Sequence, residues 1–379
     1  MTDPLKALGR RLRLGVIGGG PGSFIGPIHR AAALLDRHFE IVGGVLSSDP
    51  NKTRSFAAEL GFTGYADVPA MLAAARLDAV AIMTPNDSHL AECIAALAAG
   101  VHVICDKPLA NSLADARAIA RAAEGHIFCL THAYTGYPMI RQARAMVTAG
   151  VIGDLRAVQV EYLQAGMSIP VEAGELTPKL RWKLATERSG PSLVLGDIGT
   201  HAHHLACHVT GRGLTRLSAD LGAIVPGREV DDYGAMLLRL QGGVRGTLVS
   251  SQALAGTEND ITLRVFGADG HIAWTHRENN HLILALNGRP VQRLARGDAD
   301  LLPAARRVLR IARGHPEGLT EAFANLYRDA AEAIAARITG LAADPLALEF
   351  PTAVDGVAGL AFVEAALASR RGGGIWVDV

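Results

Sequence analysis

Val101-His102-Val103-Ile104-Cys105-Asp106-Lys107-Pro108 is the stretch on which the reading of this 379-residue chain turns. Its apolar half reads as a short buried strand, bounded upstream by Gly100. A charged pair directly after such a strand falls at the carboxyl edge of a parallel sheet, where open α/β sheets bind ligands. Pro108 fixes its own φ and biases Lys107 towards an extended backbone, so the lysine is held stiffly at that edge. An isolated Lys-Pro reads more simply as a solvated loop. The surrounding pattern decides between the two.

Working outward, strands and helices alternate. Leu12–Ile17 is an apolar strand, followed by the cluster Gly18-Gly19-Gly20-Pro21-Gly22 and a helix over about 25–37. Phe39–Val45 is a second strand. Asp49 then caps a helix with Pro50 at its first position and Gly61 as its stop. A helix from Asp67, a strand at Ala79–Met83 and a helix over 87–99 closed by Gly100 lead to the opening stretch. Beyond it come a helix capped by Ser112 and a strand at Ile127–Thr131. This βαβα rhythm predicts a parallel sheet covered on both faces.

After Thr131 the rhythm changes. Period-two or apolar runs at 157–162, 217–224, 233–240, 245–251, 261–266 and 271–274 are joined by turns such as Gln241-Gly242-Gly243 and Ala268-Asp269-Gly270, which predicts an antiparallel sheet. Residues 163–196 and 288–316 read as irregular, with a helix over 198–210 between strands. Two amphipathic helices, 317–338 and 352–368, precede a closing strand at Ile375–Val377. The expected organisation is an α/β Rossmann domain over 1–133 and an α+β domain over 134–379 built on a large open, mostly antiparallel sheet. The helix 352–368 is a candidate to pack back on the first domain.

The bulk numbers narrow the function classes. Hydrophobic residues at 49% and charged residues at 20% describe a folded globular protein rather than a disordered one. The 37 basic and 37 acidic residues cancel, so neither nucleic acid nor an anionic membrane is an expected partner. Cys93, Cys105, Cys129 and Cys207 form no C-x-x-C pair, which argues against a disulfide framework or structural zinc and suits the cytoplasm. The first apolar run has only a strand's length and no uninterrupted apolar run is long enough to span a bilayer, so neither a signal peptide nor a membrane helix is expected.

Several residues could carry chemistry. Gly18, Gly20 and Gly22 follow a strand and open a helix, the context a dinucleotide loop requires. Backbone N–H groups at that helix start would hold a pyrophosphate. The spacing departs from the usual fingerprint, because position 23 is Ser and Gly26 arrives late; Ser23, Phe24 and Ile25 join the candidate cofactor contacts. At the end of the second strand an NAD site commonly has a carboxylate. Here Ser47 stands there, with Asp49, Lys52 and Arg54 nearby, and both NAD and NADP remain open. Thr84-Pro85-Asn86 ends another strand at the same edge, with His89 one turn on. Further along, Gly196-Asp197-Ile198-Gly199-Thr200-His201 precedes His203, His204 and His208. Asp197 and His201 are four apart and share a helix face, and a carboxylate beside an imidazole suits a general base. Metal binding by His201, His204 and His208 lacks a further ligand to complete the shell, so no metal is expected.

With Gly18-Gly19-Gly20, Thr84-Pro85-Asn86, Asp106-Lys107-Pro108 and Gly196–His201 in this order, the chain resembles the glucose–fructose oxidoreductase/inositol dehydrogenase (Gfo/Idh/MocA) family over essentially its whole length. The resemblance implies an NAD(P)-dependent oxidoreductase acting on a secondary alcohol or ketone of a sugar, sugar derivative or cyclitol, assembled as a homodimer or homotetramer. The family's Glu-Lys-Pro falls on Asp106-Lys107-Pro108, making Lys107 the lysine that hydrogen-bonds the reacting oxygen and Asp106 one methylene shorter than usual. Its Asp-x-x-x-His pair falls on Asp197 and His201, with His201 the proton acceptor. Its Trp-Arg looks like Trp182-Lys183, placing Trp182 near the cofactor and Lys183 near the substrate. His132, Tyr134 and Tyr137 could line the sugar pocket, and His315-Pro316-Glu317-Gly318 could contribute. An NAD-dependent glycosidase using transient sugar oxidation would need the same residues. A non-catalytic dinucleotide or sugar sensor would not need all of Lys107, Asp197 and His201.

Overall fold

The computed structural model describes residues 2–379. Six parallel strands form the first sheet: β1 Leu12–Gly18, β2 Phe39–Val45, β3 Thr63–Gly64, β4 Ala79–Met83, β5 His102–Cys105 and β6 Phe128–Leu130, in the order β3-β2-β1-β4-β5-β6. The order reverses beside β1, so the turns after β1 and β4 flank the switch point where doubly wound sheets bind ligands. Every residue of β4 and β5 is buried, as continuous apolar runs between two helical layers require.

The second sheet has nine strands: β7 Leu155–Leu163, β8 Leu214–Gly222, β9 Tyr233–Leu240, β10 Arg245–Ser251, β11 Asp260–Gly267, β12 Gly270–Thr275, β13 His281–Leu286, β14 Gln292–Ala295 and β15 Val377–Asp378. All pairings are antiparallel except β7 with β10. Burial alternates along β7, β9 and β11, the mark of a sheet with one face in a core. Strands β13 and β14 extend the sheet beyond what the sequence pattern predicts. The stretch 163–196 also holds short helices, Pro178–Leu184 and Thr186–Ser189, where irregular backbone is expected.

The chain divides into two compact units. One comprises residues up to Ala110, Ala114–Gly136 and Leu319–Val357; the other comprises Asn111–Leu113, Tyr137–Gly318 and Ala358–Val379. The sequence division at 133/134 therefore misses that the late segment Leu319–Val357 groups with the first unit. The helix Leu319–Thr339 buries Phe323, Leu326, Tyr327, Ala330 and Ile334 in the same core as Leu12, Leu14, Phe39 and Ile104. Tyr327 meets Phe39 edge to face with ring centroids 5.7 Å apart. Gly136 is required at its place, since a Cβ there would lie 2.0 Å from the Ala322 carbonyl oxygen.

The stretch Pro345–Arg371 has the mean hydropathy, 1.5, and the length of a membrane span, although Glu349, Asp355 and Glu364 break its apolar runs. Half of its most apolar window is buried within the protein, as for the core helix of a folded domain.

Candidate active site

The turn after β1 is too tight for side chains. Gly18 and Gly19 have φ of +78° and +67°, a region that L-residues rarely enter. A Cβ on Gly20 would lie 2.1 Å from the Leu46 carbonyl oxygen, and one on Gly26 would lie 2.3 Å from that of Gly19. Gly26, late in the sequence spacing, therefore lets the helix Ile25–Leu35 press against the loop. Arg30 donates from Nη1 to the Gly19 carbonyl at 2.7 Å, and the Ser23 hydroxyl accepts from the Gly26 N–H at 3.0 Å. The result is a glycine cradle at a helix start that a pyrophosphate fits. Gly22 adopts φ +81° and Phe24 is 67% exposed beside it, with Ile25 starting the helix.

At the end of β2, the Ser47 hydroxyl accepts from the Asp49 N–H at 3.1 Å. The Asp49 carboxylate accepts from the Asn51 N–H at 2.9 Å and the Lys52 N–H at 3.4 Å, capping the helix Pro50–Glu59. Thr53 tightens the turn by accepting from the Ser47 N–H at 3.0 Å and donating to its carbonyl at 3.0 Å.

The Thr84-Pro85-Asn86 turn follows β4, with Asn86 buried in a 3-10 turn ahead of the helix His89–Ala98. The Thr84 hydroxyl donates to Glu92 at 2.5 Å. Burial pushes the Glu92 carboxyl up to about 7, against the opposing Thr84 bond and with help from the Asp87 charge. His89 is fully buried, with Nε2 3.0 Å from the Thr84 carbonyl and Nδ1 3.1 Å from that of Pro108. Burial lowers its pKa, while the Asp106 charge and these carbonyl oxygens oppose the shift.

Asp106 and Lys107 follow β5, both half-buried, and the Lys107–Pro108 peptide is cis. Asp106 Oδ1 accepts from the Thr131 hydroxyl at 2.9 Å and lies 3.6 Å from His29 Nε2. Burial raises the Asp106 pKa, but the His29 imidazole, the Lys107 charge and the Thr131 hydroxyl outweigh it and bring it to about 2. On the far side of the ring, His29 Nδ1 lies 2.8 Å from the Tyr327 hydroxyl. The short carboxylate is thus held ionised at the end of a buried Tyr327–His29–Asp106 chain.

In the second unit, Asp197 lies in a π turn, Leu195–Gly199, that runs into the α-helix Thr200–Thr210 carrying His201. Such turns widen the helix locally. The buried Asp231 carboxylate caps the start of this run, accepting from the Ser192 hydroxyl at 2.5 Å and the Val194 N–H at 3.1 Å; burial raises its pKa against these bonds. Lys183 donates to Asp197 Oδ2, and Gln252 donates to the same oxygen at 2.6 Å and to Gln164 Oε1 at 3.1 Å. The Lys183–Asp197 contact joins two residues that the sequence singles out separately. The Tyr162 and His201 rings lie with centroids 6.1 Å apart. His203 stacks on Phe362 at 4.7 Å and His204 on His208 at 5.6 Å.

Other candidates lie deeper. Tyr134 and Tyr137 are buried, and the Tyr137 hydroxyl lies 3.0 Å from His276 Nε2. Trp182 Nε1 is buried with no hydrogen-bond partner among the described residues. Glu317 is buried against Arg296 at 2.9 Å, a pair that closes the 296–317 arm. Gln252, Gln164, Glu92, His29 and Arg30 are absent from the sequence candidates. The polar run Ser250-Ser251-Gln252 at the end of β10 is buried, which only the structure reveals.

Two family models match the chain. One, an oxidoreductase family with an NAD-binding Rossmann fold, covers residues 12–134; the other, the GFO/IDH/MocA C-terminal domain, covers residues 140–273. The chain belongs to the Gfo/Idh/MocA family of oxidoreductases. A curated relative from Bacillus subtilis, the uncharacterized oxidoreductase YfiI, is 32% identical over 391 aligned residues, covering 100% of this chain and 99% of its own. A solved structure of an inositol dehydrogenase homolog from Azotobacter vinelandii, complexed with NAD+, is 35% identical with a TM-score of 0.92 over 100% of both chains. The same homolog is also solved with NADH and myo-inositol. Levoglucosan dehydrogenase from Pseudarthrobacter phenanthrenivorans is 25% identical over 73% of this chain and 76% of its own. This Gfo/Idh/MocA member is therefore an NAD-binding oxidoreductase, and its glycine cradle fits the dinucleotide.

Proposed function

We propose that the protein catalyses reversible hydride transfer at a secondary alcohol of a cyclitol or sugar, with NAD rather than NADP as its dinucleotide. The observation that carries this reading is a lysine, Lys107, at the strand edge of the same unit as the glycine cradle, backed by an ionised Asp106. Relatives complexed with NAD+ and with NADH and myo-inositol support both choices. Bound NAD supplies the hydride acceptor or donor. Gly18, Gly20, Gly22 and the N–H groups of Ser23, Phe24 and Ile25 would hold its phosphates, and Ser47 with the Thr84-Pro85-Asn86 turn its riboses.

In the alcohol-to-ketone direction, His201 takes the hydroxyl proton and the Lys107 ammonium stabilises the negative charge growing on that oxygen. Asp197, held by Lys183 and Gln252, keeps a fixed carboxylate on the helix run that carries the imidazole. Lys183 and Trp182 bound the substrate side. We further propose a cytoplasmic homodimer or homotetramer; none of the four cysteines is in a disulfide, as a reducing compartment would leave them.

A panel of myo-inositol, levoglucosan, D-glucose and L-sorbose, each with NAD+ and with NADP+, tests the reaction. NADH formation from at least one alcohol, faster than NADPH formation, is expected. No absorbance change with any member, from protein shown to bind NADH, would overturn the substrate class. Light scattering on the eluted protein reads the assembly.

A further inference from the structure

His89 sits between two turns that the sequence pattern treats as separate. It begins the helix His89–Ala98, yet its ring is fully buried and points back under the sheet edge. Nε2 lies 3.0 Å from the Thr84 carbonyl oxygen, in the turn after β4. Nδ1 lies 3.1 Å from the Pro108 carbonyl and 3.3 Å from that of Leu109, in the turn after β5, with the Cys105 sulfur 3.6 Å away.

We propose that His89 is a positioning residue that locks the Thr84 turn to the Lys107-Pro108 turn, so that the cofactor pocket and the catalytic lysine are set as one body. The inference rests on the dinucleotide site and not on which sugar is oxidised. Adjacent parallel strands fix the starts of two turns, whereas the turns themselves, beyond the ladder, open more easily than the strands. A neutral ring has one N–H, so Nε2–H donated to the Thr84 carbonyl leaves Nδ1 to accept from the Cys105 thiol 3.6 Å away, and the ring still ties the two turns where a small displacement costs most. Each nitrogen serves one turn. An imidazole replaced by a carboxamide keeps one link and gives up the other: Gln at this position puts an N–H near Nε2, and Asn puts one near Nδ1.

The test uses His89→Gln, His89→Asn and His89→Phe in the full-length protein, with no substrate. NADH affinity is read by fluorescence titration. The Lys107 environment is read from the 13C signal of reductively methylated protein; the chain has only five lysines, Lys6, Lys52, Lys107, Lys179 and Lys183, and the signal that Lys107→Arg removes is assigned. His89→Asn should weaken NADH binding about tenfold or more while moving the Lys107 signal little. His89→Gln should move or broaden the Lys107 signal with the smaller loss of NADH affinity. His89→Phe should do both. A purely structural role predicts that Gln and Asn variants change both readouts alike, in step with their melting temperatures, and that result overturns the proposal. So does wild-type affinity and an unmoved Lys107 signal in both. Should no variant fold, long-range 15N spectra of the wild-type ring decide: nitrogens with no hydrogen-bond signature rule the lock out. Absence of NADH binding by the wild-type protein would instead count against the cofactor reading itself.

Discussion

The turns at the edge of the first sheet and the polar cluster of the second unit hold their functional side chains in different ways. Around Thr84 and Lys107 the backbone sets the geometry. Glycines that tolerate no Cβ, a buried histidine between carbonyl groups and a carboxylate fixed by His29 and Thr131 leave little to adjust. Around Asp197 the links run from side chain to side chain: Lys183, Gln252 and Gln164 reach one another from three separated segments. Backbone-anchored sites resist change in substrate, and side-chain networks are easily re-tuned. On the proposed function, the common dinucleotide would belong on the first kind of scaffold and the variable substrate on the second.

The sharpest way to break this contrast is to remove the reacting groups. Lys107→Met and His201→Asn should each lower kcat by about two to four orders of magnitude on whichever polyol the panel identifies, while NADH titrations show little change. Equal loss of NADH affinity would mean that these groups shape the cofactor pocket instead. Next in size is Arg228→Met. Arg228 and Asp232 have fully buried side chains 2.9 Å apart, and the guanidinium also binds Glu172 at 2.8 Å and the Met167 carbonyl at 2.7 Å. Breaking such a pair costs about 3–5 kcal/mol, read from urea unfolding. A loss under about 1 kcal/mol would show a second unit far more tolerant than its contacts suggest.

Glu92→Gln probes the first unit through pH. The Glu92 carboxyl is near 7 when folded against an ordinary 4.5, so the folded state holds its proton more tightly. Stability from this group is fully present below pH 4.5 and is lost as pH rises towards 7. The variant should therefore be more stable than the parent at pH 8, by up to about 3 kcal/mol, and the difference should shrink towards pH 4 in thermal melts. The smallest effect belongs to Gln252→Leu, which removes one hydrogen bond to a charged group. A drop of about tenfold in kcat/KM with unchanged NADH affinity is expected; a larger drop in NADH affinity than in kcat/KM would dissolve the division of labour.

How far the sequence reached follows the same line. The alternation through Thr131 is legible because buried parallel strands are continuous apolar runs and Gly61 and Gly100 stop their helices. Leu282-Ile283-Leu284-Ala285-Leu286 carries no alternation, and an apolar run of that length does not separate strand from helix, so β13 escapes notice. The Gln292–Ala295 strand is too short to signal at all. The amphipathic pattern of Leu319–Thr339 announces a helix but not the core that receives it. Lys183 and Asp197 stand out singly, yet they lie fourteen positions apart, on a short helix and a π turn, and no spacing rule announces their contact. Gln252 and His29 act through distant partners and leave almost no local trace.

That late helix has a consequence for the order in which the molecule is made. Phe39 and His29 find Tyr327 only after some three hundred further residues have been synthesised. A nascent chain that has emerged as far as Gly136 has every strand of its nucleotide sheet but lacks the helix that closes its core. The first domain to leave the ribosome is therefore closed only after residues 137–318 of the second unit have been made, and its apolar face waits through most of that unit's translation.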